Sequence, residues 1–280
     1  MMINRFQTTS KKHQRSSEKI QTLFFRRPHP MQNLSIPQDW NVYFSRIGDA
    51  PAALRINLAL IEVAPLAEYP QHVRVSMKLE QTNEHGFPTP DESEAVYDIE
   101  DQIDRLAGND NIPAGIVTTN GAASWHFYSR DAEAFAQACR TLLTQNNRVC
   151  DIKISEDAEW SFYQEFLYPD SYELQAIRNE QVLRRFRQDG DRLEQPRPID
   201  HWLFFHTEAD LNAAAAKVAA LGYTVSDSGR IEQEEDHPSY RLQLSKNAPL
   251  TDIDNDTWEL IDIAQENNGD YDGWGSILVP

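Results

Sequence analysis

The stretch GIVTTNGAASWHFY (residues 115–128) decides the fold of the first half of the chain. Its apolar first part and its alternating aromatic last part predict two strands. The pair Asn120-Gly121 between them is the strongest short-range signal for a two-residue β-turn, because both residues tolerate positive φ. The sequence therefore predicts an antiparallel hairpin at the centre of this half.

A strand and a helix are predicted before this hairpin. Residues 72–79 alternate strictly between apolar and polar side chains, which is typical of a half-buried strand. Pro90 and Asp91 then favour a helix start, since proline and acidic residues suit the first helical turn. The predicted apolar face of this helix consists of Val96, Ile99, Ile103 and Leu106.

A helix and a strand after the hairpin complete a βαββαβ unit. Ser129 is predicted to cap the helix, and residues 149–154 are predicted to form the last strand. This order of elements is that of the split βαβ, ferredoxin-like arrangement. Two further strands, residues 40–44 and 53–58, predict an extra hairpin ahead of it.

The second half predicts a related unit. Helices are expected after Ser171 and after Thr207, and a last helix around Leu260. The predicted strands are residues 199–205, 223–225, 240–244 and 273–279. The expected fold class is therefore α+β, with two ferredoxin-like (split βαβ) domains in tandem, the first with an extra N-terminal hairpin.

The composition divides the chain into three segments. Residues 1–33 are rich in Ser, Gln, Lys and Arg, have no apolar periodicity and predict a basic disordered tail. One hypothesis is that Met31 is the true start and the tail an upstream artefact; the alternative is that the tail is an arm for RNA or anionic lipid. Residues 34–165 and 166–280 are predicted to be the two domains.

The net charge of −18 is unevenly spread. Residues 1–30 hold seven Lys/Arg and one Glu, whereas residues 31–165 and 166–280 each carry a net charge of −12. Acidic bodies repel phosphate backbones and attract basic partners. We therefore expect a basic protein segment as the partner and no direct nucleic-acid binding by the folded domains.

The compartment is predicted to be the cytoplasm. No stretch approaches the ~18 consecutive apolar residues of a membrane span, and the start has no apolar secretory segment. Cys139 and Cys150 are the only cysteines, which does not make a disulfide framework. We expect no membrane association.

Known catalytic motifs are missing from the sequence. It has no phosphate-binding glycine loop, zinc-protease motif, CxxC pair or nucleophile elbow, so we expect no catalysis, no metal and no cofactor. One alternative is an enzyme of unknown type on the first domain. Its candidate residues are His72, His85, Glu100 and Asp101.

Aromatic strands allow a second alternative. RNA recognition motifs stack bases on exposed aromatic residues of a ferredoxin-like sheet. Trp125 and Phe127 alternate on one strand, and Trp202 and Phe204 on another. Such motifs also carry Lys/Arg beside the aromatics, whereas this neighbourhood is acidic, so we interpret these residues as core.

The second domain resembles a known family. The motif Tyr271-Asp-Gly-Trp-Gly275 is its most distinctive feature, and residues 200–207 and 221–225 add a weaker pattern. Together they are similar to the regulator of ribonuclease E activity B family. The resemblance implies a ferredoxin-like fold in an acidic protein that binds the endoribonuclease RNase E and restrains it.

The first domain resembles the domain of unknown function 695 family. The matching stretches are residues 40–44, 55–57, 86–88, 99–101 and 119–121. This resemblance implies no activity.

The leading hypothesis is an inhibitor or modulator of an RNase E-type endoribonuclease, and so of RNA turnover. Acidic residues of a loop and of the C-terminal motif would bind the basic partner. The predicted partner-binding residues are Glu232, Glu234, Glu235, Asp236, Asp270, Tyr271, Asp272 and Trp274. For the motif itself a structural role is the alternative, with Asp272-Gly273 in a turn and Trp274 in the core.

An immunity protein against a nuclease toxin is the alternative among binding proteins. Nuclease active sites attract anions, and an acidic protein suits that role.

Overall fold

The computed structural model of the protein describes residues 36–231 and 239–280. The predicted tail, residues 1–33, lies outside the described residues, and so do Glu232, Glu234, Glu235 and Asp236. The chain forms two compact units, which divide between Pro169 and Asp170.

The first unit contains a six-stranded antiparallel sheet and two long helices. The strand order is β1-β2-β4-β5-β3-β6. Its last four positions form a split βαβ unit, and the β1–β2 hairpin extends the sheet beyond β4. The elements are β1 (Trp40–Ile47), β2 (Ala50–Asn57), β3 (Gln71–Lys78), α1 (Pro90–Ala107), β4 (Asn111–Thr119), β5 (Ala122–Ser129), α2 (Ala132–Gln145) and β6 (Cys150–Glu156).

Both faces of this sheet are covered. The helices α1 and α2 pack on one face, around a core that includes Val75, Trp125 and Phe135. On the other face Trp160 stacks on Tyr128, with ring centroids 3.8 Å apart. Trp125 and Phe127 are therefore core residues, as the sequence predicts, and cannot serve as a stacking platform.

The second unit is a four-stranded antiparallel sheet with the order β10-β7-β9-β8. This is again the strand order of a split βαβ unit, here preceded by one helix. The predicted α+β fold is thus confirmed in both units. The elements are α3 (Ser171–Gln188), β7 (Arg197–Phe205), α4 (Glu208–Ala220), β8 (Thr224–Arg230), β9 (Tyr240–Ala248), α5 (Ile253–Glu266) and β10 (Gly269–Ser276).

The helices of the second unit lie on one face of its sheet. Leu203, Leu244 and Val218 belong to the core between them. A second cluster around Ile199 and Leu183 packs α3 against the same side. Within the described residues of this unit, the opposite face of the sheet carries no helix.

Several local predictions were wrong. Asp131 caps α2, because Ser129 is the last residue of β5 and donates to Asn111. Asp170 caps α3 through a capping box with Glu173. In both cases an aspartate one or two residues from the predicted serine accepts the free helix N–H groups instead.

The apolar face of α1 and the last strand also differ from prediction. Leu106 is 41% exposed, and Ala107 takes its place in the core. The last strand starts at Gly269 and not at residue 273, so the distinctive motif lies inside β10. No helix in the described part of the chain is long and apolar enough to span a membrane.

Candidate functional site

The helix-free face of the second sheet consists of three rows of residues that point away from the helices. The register of the strands defines each row across β10, β7, β9 and β8. The first row is Asp270, Phe204, Arg241 and Gly229; the second is Gly273, Trp202, Gln243 and Asp227; the third is Gly275, Asp200, Ser245 and Thr224.

Two aromatic side chains occupy the centre of the helix-free face. Trp202 and Phe204 lie on the central strand β7, alternate with the buried Leu203 and Phe205, and are themselves half-buried. A Cβ atom at Gly275 would come within 3.3 Å of the Trp202 ring, so the glycine leaves room for the indole. Within the described residues the indole N–H of Trp202 has no acceptor.

The charges on this face are mainly negative. Asp270 lies opposite Phe204 on the neighbouring strand and is exposed. Arg241 on β9 is paired with Asp227 on β8, with 2.5 Å between Nη2 and Oδ2. Neither Asp200 nor Asp270 has an ion-pair partner among the residues that the structure describes. The face therefore combines two aromatic rings with two unpaired carboxylates.

The predicted site residues of the motif do not share one face. Asp270 lies on the helix-free face, whereas Tyr271 and Trp274 are opposite Leu203 and His201 and point towards the helices. Asp272 is exposed and has no partner in the register, since a β-bulge separates Tyr271 from Gly273. The predicted turn at Asp272-Gly273 is therefore wrong, because the chain continues as a bulged strand.

Trp274 attaches β10 to α3. Its indole N–H donates to Oδ1 of the fully buried Asn179 at 2.7 Å, and its ring lies 6.4 Å from that of Phe186. The side chain is only partly buried and packs at the edge of the cluster around Ile199. These contacts give Trp274 a structural role.

Tyr271 belongs to a buried polar cluster beneath α5. Its hydroxyl lies 2.9 Å from Nδ1 of His201. Burial, aided by the positive charge of Lys246, lowers the pKa of His201 to about 3, so the imidazole is neutral. Burial likewise raises the pKa of the Tyr271 and Tyr223 hydroxyls. Lys246 pairs with Asp256 at 2.6 Å beside these groups.

The candidate residues of the enzyme hypothesis are not brought together. Glu100 lies on α1, is buried and pairs with Arg55 on β2. His72 lies on the other face of the sheet, 3.0 Å from His126 and stacked against Phe162. The layer of the sheet separates these two side chains.

The other two candidates are also apart from His72. His85 is exposed in the loop after β3, at the opposite end of that strand from His72. Asp101 follows Glu100 on α1. No group of three or more potential metal ligands occurs in the described part of the chain.

The sequence patterns do not indicate the helix-free face. They predict Trp202 and Phe204 to be core residues, which is wrong because both are half-buried on the face without helices, and they give no signal for Asp200. The available signal is the alternation in β7, in which every second residue of the run 199–205 is buried and all of these except His201 are apolar. Which of its two faces the helices cover depends on the fold.

Two family models match the chain. Residues 38–168 match the family of unknown function called DUF695. Residues 176–276 match the family described as regulator of ribonuclease activity B. Both resemblances drawn from the sequence are therefore confirmed.

Individual relatives are distant. A protein named regulator of ribonuclease activity B, from Photobacterium profundum, is 28% identical over 118 residues, which are 40% of this chain and 86% of the relative. A crystal structure of an unknown protein from Galdieria sulphuraria is 10% identical over 75% of this chain and 99% of that one. Its TM-score of 0.23 is too low to relate the two folds.

Proposed function

We propose that this chain is a non-catalytic protein that binds an endoribonuclease of the RNase E type and restrains it, and so modulates RNA turnover. The observation that carries the proposal is the match of residues 176–276 to the regulator of ribonuclease activity B family. The matched range contains all four strands of the second unit and the helices α4 and α5. The similarity therefore extends over one complete split βαβ unit.

Charge supports a protein partner over RNA. Residues 166–280 hold ten Lys/Arg and 22 Asp/Glu. A surface with this excess of acids repels phosphates and attracts basic protein segments, and its attraction weakens as salt rises. We propose accordingly that the partner presents a basic segment and that the chain acts in the cytoplasm.

The placement of the ionisable groups supports binding over catalysis. His201 and Tyr271, two groups of the second unit whose pKa values are strongly shifted by burial, are hydrogen-bonded to each other beneath the helices. A general acid or base must reach a substrate, and catalytic pKa values lie near the working pH. A neutral, buried imidazole with a pKa of about 3 fits a structural group.

A reconstituted cleavage assay tests the proposal. The purified full chain is titrated into an RNase E-type enzyme with a labelled single-stranded RNA substrate. We expect cleavage to slow until the chain is stoichiometric with the enzyme, and the chain alone to leave the RNA intact. Unchanged cleavage at a tenfold molar excess, without a complex on size-exclusion chromatography, would contradict it. Inhibition of a nuclease toxin alone would favour the immunity hypothesis.

A further inference from the structure

We propose that the helix-free face of the second sheet is the docking surface of this chain, and that its occupant is an arginine-rich segment of the partner protein. The inference rests on the proposed function for the identity of the partner. The choice of arginine does not depend on the proposed function. It rests on the aromatic rings of the face, its carboxylates and the glycine position beside Trp202.

The rings provide the first element of recognition. Trp202 and Phe204 are two residues apart on one strand, so their side chains lie about 7 Å apart on the same face. A guanidinium group stacks on aromatic faces, and tryptophan is the best such partner. Two half-buried rings at this spacing can accept two arginine side chains from one extended segment.

The carboxylates provide the second element. Asp270 lies directly opposite Phe204, and Asp200 lies two residues before Trp202 on the same strand. Residues opposite each other in a sheet have Cβ atoms about 5 Å apart. A guanidinium stacked on either ring can therefore pair with the neighbouring carboxylate. Planar, bidentate pairing of this kind selects arginine over lysine.

The distribution of charge fixes which part of the face binds. Arg241 is the one cation of the three rows, and Asp227 neutralises it on the β8 side. The carboxylates without an ion-pair partner among the described residues belong to β7 and β10, on the other side of the face. The docking segment is therefore expected to lie along β7 and β10.

The surface of β10 beside Trp202 is not covered by side chains at Gly273. Gly273 on β10 carries no side chain, and a Cβ there would meet nothing within 4 Å, whereas the indole of Trp202 itself lies over Gly275. A peptide backbone can approach the indole ring closely there, as glycine positions allow. The indole N–H of Trp202 is then available to a carbonyl group of the peptide.

Fluorescence anisotropy with three labelled probes tests this surface on the full chain. The probes are a 12-residue peptide of alternating Arg and Gly, the same peptide with Lys for each Arg, and a 12-nucleotide single-stranded RNA. We expect the arginine peptide to bind at 50 mM salt and to weaken at 300 mM. The lysine peptide should bind at least about fivefold more weakly, and the RNA should not bind.

Two substitutions locate the binding. Asp270→Asn and Trp202→Leu should each weaken binding of the arginine peptide about fivefold or more. Asp252→Asn is the matched control, because it removes the same charge from an exposed residue before α5. Asp270 is exposed, so its substitution leaves the fold intact and keeps the test decisive even if Trp202→Leu fails to fold.

The outcomes separate this inference from the proposed function. If the arginine peptide binds in a way that depends on Asp270 and Trp202 while the chain has no effect on a ribonuclease, the docking surface is supported and the proposed function is refuted. Full restraint of the ribonuclease by both variants would refute the surface and leave the function standing. Two outcomes would overturn the arginine proposal. One is that both peptides bind equally well and neither substitution changes their binding. The other is that the RNA binds and that Trp202→Leu abolishes this RNA binding.

Discussion

Tyr271 and Trp274 are three residues apart in β10, yet their side chains point to the same face of the sheet. Residues at an odd spacing in a regular strand point to opposite faces. The bulge at Asp272 adds one residue, so Tyr271 lies opposite Leu203 and Trp274 opposite His201. Gly273 follows with a φ of +144°, a conformation that L side chains rarely adopt. The bulge explains why the motif combines two aromatics with an intervening Asp-Gly.

Insertion of one alanine between Gly273 and Trp274 tests the role of the bulge in setting this register. One more residue would reverse the alternation after Gly273 and turn Trp274 away from Asn179 and Phe186. We expect a loss of about 3–5 kcal/mol in the free energy of unfolding, similar to truncation of a large aromatic side chain. Urea unfolding followed by circular dichroism measures it. Asp272→Ala keeps the residue count and should change stability by less than about 0.5 kcal/mol. Similar stability of the two variants would refute this role.

Asn179 is predicted to hold α3, α5 and β10 together. Its Oδ1 accepts from Trp274, and its Nδ2 donates to Asp254 and Thr257 at 2.8 and 2.9 Å. Asn179→Asp removes both donations and places a carboxylate beside Asp254, whose own pKa is already raised by burial. We expect a loss of about 3 kcal/mol at pH 7.5.

The effect of Asn179→Asp should depend on pH. Repulsion between buried carboxylates raises their folded pKa values, so the cost is present at neutral pH and falls as they become protonated. The difference from wild type in urea unfolding should therefore be smaller at pH 4.5 than at pH 7.5. Asn212→Asp, on the exposed side of α4, is the matched control and should show little change. A difference that does not vary with pH would contradict the charge argument.

The buried ion pair of the first unit should tolerate joint replacement better than single replacement. Arg55 and Glu100 pair with side chains 7% and 3% exposed. Either Arg55→Met or Glu100→Leu leaves one buried charge, and we expect a loss of about 3–5 kcal/mol in unfolding free energy. The double variant should recover a large part of that loss, because no uncompensated charge remains.

An exposed pair provides the comparison for this prediction. Arg74 and Asp151 lie 2.5 Å apart with side chains 33% and 61% exposed. Asp151→Asn should therefore cost no more than about 1 kcal/mol. Urea unfolding of all four variants measures the series. Additive effects of Arg55→Met and Glu100→Leu would show that the two charges do not depend on each other.

Three buried imidazoles should make the protein acid-sensitive. Burial lowers the pKa of His72 to about 4 and that of His201 to about 3, and it lowers the pKa of His126 well below its usual range. Below the unfolded pKa of 6.5, the unfolded chain takes up protons that the folded chain does not. Stability should thus be highest above about pH 6.5 and should fall towards pH 4.

Each of these groups contributes about 1.4 kcal/mol per pH unit in that window. Urea unfolding between pH 4.5 and 7.5 measures the slope. His201→Gln should reduce the slope for the second unit, whereas His206→Gln, at an exposed residue, is the control. An unchanged slope in His201→Gln would show that the imidazole is not the titrating group.

Sequence reasoning succeeded where a local signal is strong. Asn120-Gly121 fixes a hairpin because few residues accept positive φ, and Asn120 indeed has a φ of 49°. Thr207 caps α4 as predicted. The cap predictions failed at Ser129 and Ser171, because an aspartate one or two residues away is an equally good cap and only the backbone path decides between them.

The sequence by itself determined the order of elements in both units and the two family resemblances, because periodicity, turns and motifs are local properties of the chain. The tertiary structure decided which face of each sheet is covered. Trp125 and Trp202 occupy similar aromatic strands, yet one is buried under helices and the other lies on a helix-free face. It also placed Tyr271 and Trp274 towards the helices and Asp270 on the open face, since a single bulge changes which side chains share a face.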